Sequence, residues 1–223
     1  MDYELPGRAV SAPTLDESFA HNWKAEILPA RPAILPARHY VYPQQAEEVE
    51  RGALEVLIRP ALYQGMTSVV PQNAEKKHGA LAPAGYASSG AQQFLATCAL
   101  GFRDPAVPTG LWSVPNPDYI CAVAGGYAYI IDTTAPERFT MISYRPVLKV
   151  LPAAGAGLLL FVGHRSILAW GRDGRVWESE KLSDEGVTIT AIEGLKLRGT
   201  GWHIVTDKET AFAIDLRTGL PAS

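Results

Sequence analysis

An apolar run that ends in glycine recurs along the second half of this 223-residue chain. Two copies are clear, at residues 120–126 and 158–163, and a looser copy lies at residues 197–201. Their final glycines follow one another at intervals of about 40 residues, which is the period of a four-stranded propeller blade. The spacing therefore predicts a β-rich chain that is built from repeated sheets.

Each copy is followed by a second apolar segment that ends at an aspartate: Asp132, Asp173 or Asp215. The repeat predicts an all-β fold of antiparallel meander sheets in blade-like repeats, either propeller-like or a twisted β-sandwich. We expect the aspartates to accept hydrogen bonds from backbone amides in turns. The glycine pair at 125 and 126 predicts a turn with positive φ, and Asp173-Gly174 predicts a hairpin.

The predicted strands divide into three units. The complete unit consists of residues 147–151, 158–162, 167–170 and 176–179. The unit before it consists of residues 94–102, 119–124, 127–131 and 139–144. The last unit lacks a fourth strand, which residues 53–59 or 39–42 could supply. Because a closed propeller typically has about four to eight blades, three units predict an open array or two chains that meet through exposed sheet edges. We therefore expect a homodimer.

The chain divides into a proline-rich N-terminal arm at residues 1–38 and a single β-rich domain at residues 39–223. A long flexible loop is expected within that domain at about residues 63–92. One or two short N-terminal helices are also predicted. The first begins at the Thr14-x-x-Glu17 capping box, with Phe19 and Trp23 on one face, and the second covers residues 44–51.

Composition excludes several classes of function. The net charge is −3, so the composition does not indicate the basic surface that binds nucleic acid. The longest apolar stretch, around residues 158–162, falls far short of the ~20 residues that span a bilayer, and the acidic N-terminus does not resemble a secretory signal. Cys98 and Cys121 lie in apolar runs, which predicts buried free thiols. We therefore expect a soluble, cytoplasmic protein that binds neither nucleic acid nor membrane.

Three stretches of the sequence carry a family resemblance. They are residues 38–54, which begin Arg-His-Tyr-Val-Tyr-Pro; residues 122–129, which contain Gly-Gly-Tyr; and residues 158–174, which end Trp-Gly-Arg-Asp-Gly. Over residues 38–60 and 94–220 the chain resembles a set of small uncharacterised bacterial proteins. The resemblance implies a bacterial, β-rich, blade-like protein and implies no activity.

The sequence contains no recognised catalytic signature. Gly-x-Ser-x-Gly, a Walker loop, His-Glu-x-x-His and paired Cys-x-x-Cys motifs are all absent. The five histidines offer no metal-binding pair at helix or strand spacing. The sequence therefore predicts no metal, no other cofactor and no identifiable catalytic residue.

Two histidines follow aligned positions of the repeat, and these positions define a candidate binding site. His164 follows Gly163 and His203 lies two residues after Gly201, so we expect both at one end of the array. The candidate binding residues are His164, Arg165, Trp202, His203, Asp207 and Glu209. An aromatic face for stacking and charged groups for orientation suit a small polar ligand such as a sugar. The alternative is that these residues only complete turns and cover the surface.

These observations favour a non-enzymatic binding or interaction protein that self-associates. Its ligand would be a small polar molecule or a protein partner. The alternative hypothesis is a small hydrolase or carbohydrate-active enzyme that acts at the loop end of the β array. A deep pocket around the candidate residues would favour the enzyme, and an open surface would favour the interaction protein.

Overall fold

The computed structural model describes residues 12–44, 52–60 and 93–222, and in these ranges the protein is all-β. The described strands, in chain order, are β1 (Thr14–Asp16), β2 (Trp23–Leu28), β3 (His39–Tyr42), β4 (Ala53–Pro60), β5 (Phe94–Ala99), β6 (Gly110–Ser113), β7 (Tyr119–Ala124), β8 (Tyr127–Asp132), β9 (Phe139–Met141), β10 (Lys149–Ala153), β11 (Leu158–Val162), β12 (Ile167–Gly171), β13 (Gly174–Glu178), β14 (Val187–Glu193), β15 (Lys196–His203) and β16 (Lys208–Asp215). A 3-10 turn at Ala154–Ala156 separates β10 from β11. Nowhere in these ranges does a helix have the length and apolar character needed to cross a membrane.

The strands form four sheets. Sheet I has the order β2-β4-β5-β3, sheet II has the order β1-β6-β7-β8-β9, sheet III has the order β10-β11-β12-β13, and sheet IV has the order β14-β15-β16. Most neighbouring strands are antiparallel, but β1 runs parallel to β6 and β3 runs parallel to β5. The described part of the chain therefore combines antiparallel meanders with two parallel pairings at sheet edges.

Three apolar clusters join the sheets face to face in the order I, II, III, IV. The first cluster lies between sheets I and II and includes Phe94 and Tyr129. The second joins sheets II and III and includes Phe161, and the third joins sheets III and IV through residues such as Leu160 and Leu197. Because sheets II and III are covered on both faces, their central strands are mostly apolar on both faces. All five residues of β11 are buried, which explains its uninterrupted apolar run.

The four strands predicted for the complete unit form sheet III, and in the described residues sheet IV has three strands and lacks a fourth, as predicted. Two other assignments are wrong. β5 (Phe94–Ala99) belongs to sheet I, and the strand that pairs with β7 in its place is β6, whose four residues are all buried. β3 and β4 do not add to sheet IV, because both pair with β5 in sheet I. The inward residues of β4 pack in the cluster with sheet II.

The predicted helix that begins at Thr14 is wrong, because Thr14–Asp16 is a strand. Its register places Thr14 beside Gly110, and the Thr14 N–H donates to the Thr109 carbonyl at 2.9 Å. The close approach requires glycine, since a Cβ at position 110 would lie 2.1 Å from the Thr14 carbonyl oxygen. Nonlocal pairing therefore overrides the local capping pattern. The second predicted helix, apart from Gln44, and the predicted loop at 63–92 lie outside the described residues.

The predicted turn chemistry is confirmed at several positions. Gly125 and Gly126, with φ of 54° and 77°, connect β7 to β8. The hairpin between β12 and β13 closes with Gly171 opposite Gly174. The Asp132 carboxylate accepts the Thr134 and Ala135 amides, and the Asp215 carboxylate accepts the Arg217 amide.

Both cysteines are buried and free, as predicted. Burial raises the pKa of the Cys98 thiol and of the Cys121 thiol above their usual range. Both sulfurs therefore remain protonated and behave as small apolar groups in the core.

Candidate functional site

The six candidate residues lie on turns and strand ends of sheets III and IV. His164 and Arg165 occupy the turn between β11 and β12, and Trp202 and His203 end β15. Asp207 and Glu209 lie on either side of Lys208, the first residue of β16. His164, Arg165, Asp207 and Glu209 are exposed, while Trp202 and His203 are half-buried.

Residues 181–186 lie in the connection between β13 and β14. They join the turn at His164 to the end of β15 at Trp202. The Gly186 N–H donates to the His164 carbonyl at 2.8 Å, and the Leu182 N–H donates to the Arg165 carbonyl at 2.7 Å. On its other side, the Asp184 N–H donates to the Trp202 carbonyl at 2.8 Å. The backbones around His164 and Trp202 are therefore held against one shared segment.

The tip of the hairpin between β15 and β16 is fixed by side-chain hydrogen bonds. The last strand pair is His203 with Lys208, so residues 204–207 form the tip. The Trp202 indole donates to the Asp207 carboxylate at 3.2 Å, and Asp207 has a φ of 48°, which is uncommon for a residue other than glycine. The Ile204 N–H donates to the Asp184 carboxylate at 2.9 Å. The tip is therefore held at both of its ends.

Asp184 is a positioning residue that sequence reasoning missed. The Lys181 ammonium donates a hydrogen bond to its carboxylate. That hydrogen bond, the one from the Ile204 amide and the nearby charge of His203 lower the pKa of Asp184 below its usual value. The carboxylate therefore remains charged, and able to hold the tip, somewhat below the pH at which an ordinary aspartate is protonated.

The hairpin tip carries two exposed apolar side chains. Ile204 is 65% exposed and Val205 is 92% exposed. Single exposed apolar residues are common on protein surfaces, but these two are adjacent and lie on a segment with fixed hydrogen bonds. A sequence signal for this exposed surface was present, because two branched apolar residues stand directly before Thr206 and Asp207 in a segment that connects two strands.

Two grooves of the structure lie elsewhere. One, of about 340 Å³, is lined on sheet II by residues that include Asp132, Glu137 and Arg138. The other, of about 390 Å³, lies between β1 and β10 beside Trp112. None of the six candidate residues lines either groove. The carboxylate of Asp132 is already engaged by its turn amides and by Arg138 at 2.6 Å.

A separate polar cluster lies on sheet I. The Thr97 hydroxyl donates to the buried Glu55 carboxylate at 2.6 Å, and Nε2 of His39 lies 2.8 Å from the same hydroxyl oxygen. Burial, and then the charge of Arg31, lower the pKa of His39 in spite of Glu55. The hydrogen-bonded series from His39 through Thr97 to Glu55 has the order of a proton relay. Thr97, however, has no exposed surface. It therefore cannot meet a substrate in this structure, and the cluster serves as an internal polar network.

Nowhere in residues 12–44, 52–60 and 93–222 do three or more His, Cys, Asp or Glu side chains form a group that could hold a metal ion. No protein-family model, curated protein or solved structure matches this chain. The resemblance to small uncharacterised bacterial proteins therefore remains a prediction.

Proposed function

We propose that this chain is a non-enzymatic interaction protein that binds another protein through the end of sheet IV. The binding surface comprises the hairpin tip at residues 204–207 and the adjoining segment at residues 181–186. One observation carries the proposal: Ile204 and Val205 are exposed to water although the backbone that bears them is held by Asp184 and Trp202.

The rigidity of the tip favours binding. A flexible loop loses conformational freedom when it enters an interface, and that loss weakens the complex. The hydrogen bond from the Ile204 amide and the bond between Trp202 and Asp207 have already fixed this segment. Burying Val205 and Ile204 in a partner would then remove apolar surface from water at little further entropic cost.

The charges around the tip favour a protein partner over an anionic surface. Lys181 and Lys208 lie beside Asp184, Glu185 and Asp207, so both signs are present. A membrane-binding or nucleic-acid-binding tip would carry a cluster of basic residues. Mixed charges around an apolar centre are typical of a protein interface with a polar rim.

We further propose that the four stacked sheets form a blade-like array. The support is the matching strand order of sheets III and IV, both of which are simple antiparallel meanders. The outward face of sheet IV carries small and polar residues such as Thr188, Arg198 and Ala211. A polar outer face is what the terminal unit of a repeat array requires.

The hydrolase alternative is less well supported by the site. An acid that takes part in catalysis needs a carboxylate free to act on a substrate. Asp184 binds Lys181 and the Ile204 amide, and Asp207 binds the Trp202 indole. Two of the acids around the tip are therefore engaged in holding it.

Site-specific photocrosslinking tests the proposal. A benzophenone amino acid at position 205 is expected to give a discrete protein adduct in cells that express the chain. The matched control is the same amino acid at Val176, which is 52% exposed on β13, and it should give no such adduct. Excess untagged protein should suppress the adduct, whereas an excess of the Ile204→Asp variant should not. Equal labelling from positions 205 and 176, or no adduct from 205, would contradict the proposed function.

A further inference from the structure

Sheet IV has one strand fewer than sheet III. In sheet III, β13 fills the position beyond β12, but the corresponding position beyond β16 holds only the C-terminal turn. In that turn the Asp215 N–H donates to the Leu220 carbonyl, and the Ala222 N–H donates to the Ala213 carbonyl, both at 2.9 Å. These bonds cover the last three residues of β16. In the described part of the chain, no strand pairs with the outer edge of residues 208–212.

The hydrogen-bonding groups on this edge can be assigned from the C-terminal turn. Ala213 and Asp215 direct backbone groups outward, away from β15. Backbone direction alternates along an antiparallel strand, and β16 pairs with β15 over eight residues without a shift of register. The N–H and C=O groups of Ala211 and Glu209 therefore point to the same outer edge.

We propose that a second copy of this chain supplies the missing neighbour, through antiparallel pairing of β16 with β16 about a two-fold axis at Thr210. Glu209 of each copy then lies opposite Ala211 of the other, and each such pair exchanges two backbone hydrogen bonds. Lys208 lies opposite Phe212, so no like charges face each other directly. This inference rests on the proposed function and identifies its partner.

The same axis brings together exposed apolar residues from both copies. Val205 and Asp215 are equally far from Thr210 in sequence, on opposite sides of it. An axis at Thr210 therefore places the tip of one copy beside the C-terminal turn of the other. Leu220, which adjoins Asp215 in that turn, is 56% exposed. The two-fold arrangement therefore covers Ile204, Val205 and Leu220 twice, at the two ends of the new strand pair.

The other edges of sheets III and IV are less suitable for self-pairing. β14 changes register between Ile189 and Ala191, so its inward and outward side chains exchange faces partway along the strand. β10 contains Pro152, which has no N–H to donate. β13 has a bulge at Val176, because Arg175 pairs with Trp170 while Trp177 pairs with Ala169, and a bulge protects an edge from pairing.

Molar mass in solution tests this interface first. Sedimentation equilibrium or light scattering over the micromolar range is expected to give twice the chain mass of 24.1 kDa. Ala211→Pro removes an N–H that points away from β15, so sheet IV should keep its internal pairing. The variant loses two intermolecular hydrogen bonds, and its dimer is expected to dissociate about 10-fold to 100-fold more readily.

A charge exchange across the interface gives a second and sharper test. The double variant Val205→Asp with Leu220→Asp places like charges together and should be monomeric. Val205→Lys with Leu220→Asp places opposite charges together at both contacts and should restore the dimer. Val176→Asp, on β13, is the control and should leave the molar mass unchanged. If Val205 and Leu220 affected only the folding of a single chain, changing the sign of the charge at position 205 would not restore the dimer.

Each outcome decides the inference. A monomeric wild type, or a dimer that is insensitive to both Ala211→Pro and the charge exchange, would overturn it. If Ala211→Pro fails to fold, as seen by circular dichroism, the charge-exchange pair decides alone. A crosslinked adduct from position 205 to a different protein would overturn the self-pairing while the proposed function stands.

Discussion

Phe161→Ala is expected to lower the free energy of unfolding by about 3–5 kcal/mol. Phe161 is fully buried in β11 and packs in the cluster between sheets II and III. Since sheet III is also covered by sheet IV, the backbone around residue 161 cannot collapse to fill the cavity. Urea denaturation, followed by tryptophan fluorescence and by circular dichroism, measures the change.

The control for Phe161→Ala is Val176→Ala. Val176 lies on β13 and is 52% exposed, so its truncation should change stability by about 0.5 kcal/mol or less. If Phe161→Ala costs no more than this control, residue 161 is not enclosed between two sheets and the proposed stacking is wrong.

Trp177→Ala is expected to destabilise the protein by about 3–5 kcal/mol and to loosen sheet IV most. Trp177 lies on β13 in sheet III and packs in the cluster with sheet IV. Its indole donates to the Leu216 carbonyl at 2.7 Å, and its ring lies so close to Gly219 that a Cβ there would be 2.6 Å away. One side chain therefore joins sheet III to the C-terminal turn of sheet IV.

The variant Trp177→Phe separates the contribution of ring packing to stability from that of the hydrogen bond. The phenylalanine ring keeps most of the packing but leaves the Leu216 carbonyl without its donor, which should cost about 1–3 kcal/mol. Native-state hydrogen exchange should show faster exchange of β16 amides in Trp177→Ala than in Trp177→Phe. Equal exchange in the two variants would contradict a packing role for the ring.

The sequence predicted the sheets that are formed by consecutive strands. The apolar run of β11, the Asp173-Gly174 hairpin and the glycine pair at 125 and 126 are local signals, and each specifies a strand or turn from its own residues. Sheet III follows almost entirely from such signals, because its four strands are neighbours in the chain.

Nonlocal pairings were not predictable in the same way. β1 pairs with β6 across some ninety residues of chain, and β3 pairs in parallel with β5. The Thr14-x-x-Glu17 pattern is compatible with a helix, and only the proximity of Gly110 selects a strand. Sequence periodicity carries no information on which distant edge a short strand will join.

The candidate site was also predicted only where the signal is local in sequence. Repeat spacing predicted that His164 and His203 lie at one end of the array, and in the structure His164 follows β11 and His203 ends β15, the second strands of sheets III and IV. It did not indicate Asp184, because the contact between Asp184 and the Ile204 amide joins residues that are distant in sequence. The exposure of Ile204 and Val205 was missed because the apolar run at residues 202–206 predicts a strand, whereas the strand ends at His203 and the next residues form the hairpin tip.

The order of the four sheets is the claim on which the stability predictions and the polar outer face of sheet IV both depend. Methyl–methyl nuclear Overhauser measurements on protein labelled at isoleucine, leucine and valine test it directly. We predict cross-peaks within the second cluster, which contains Val123 and Leu159, and within the third, which contains Leu160 and Leu197. Strong cross-peaks between Val123 and Leu197 would contradict the account, because sheet III lies between them.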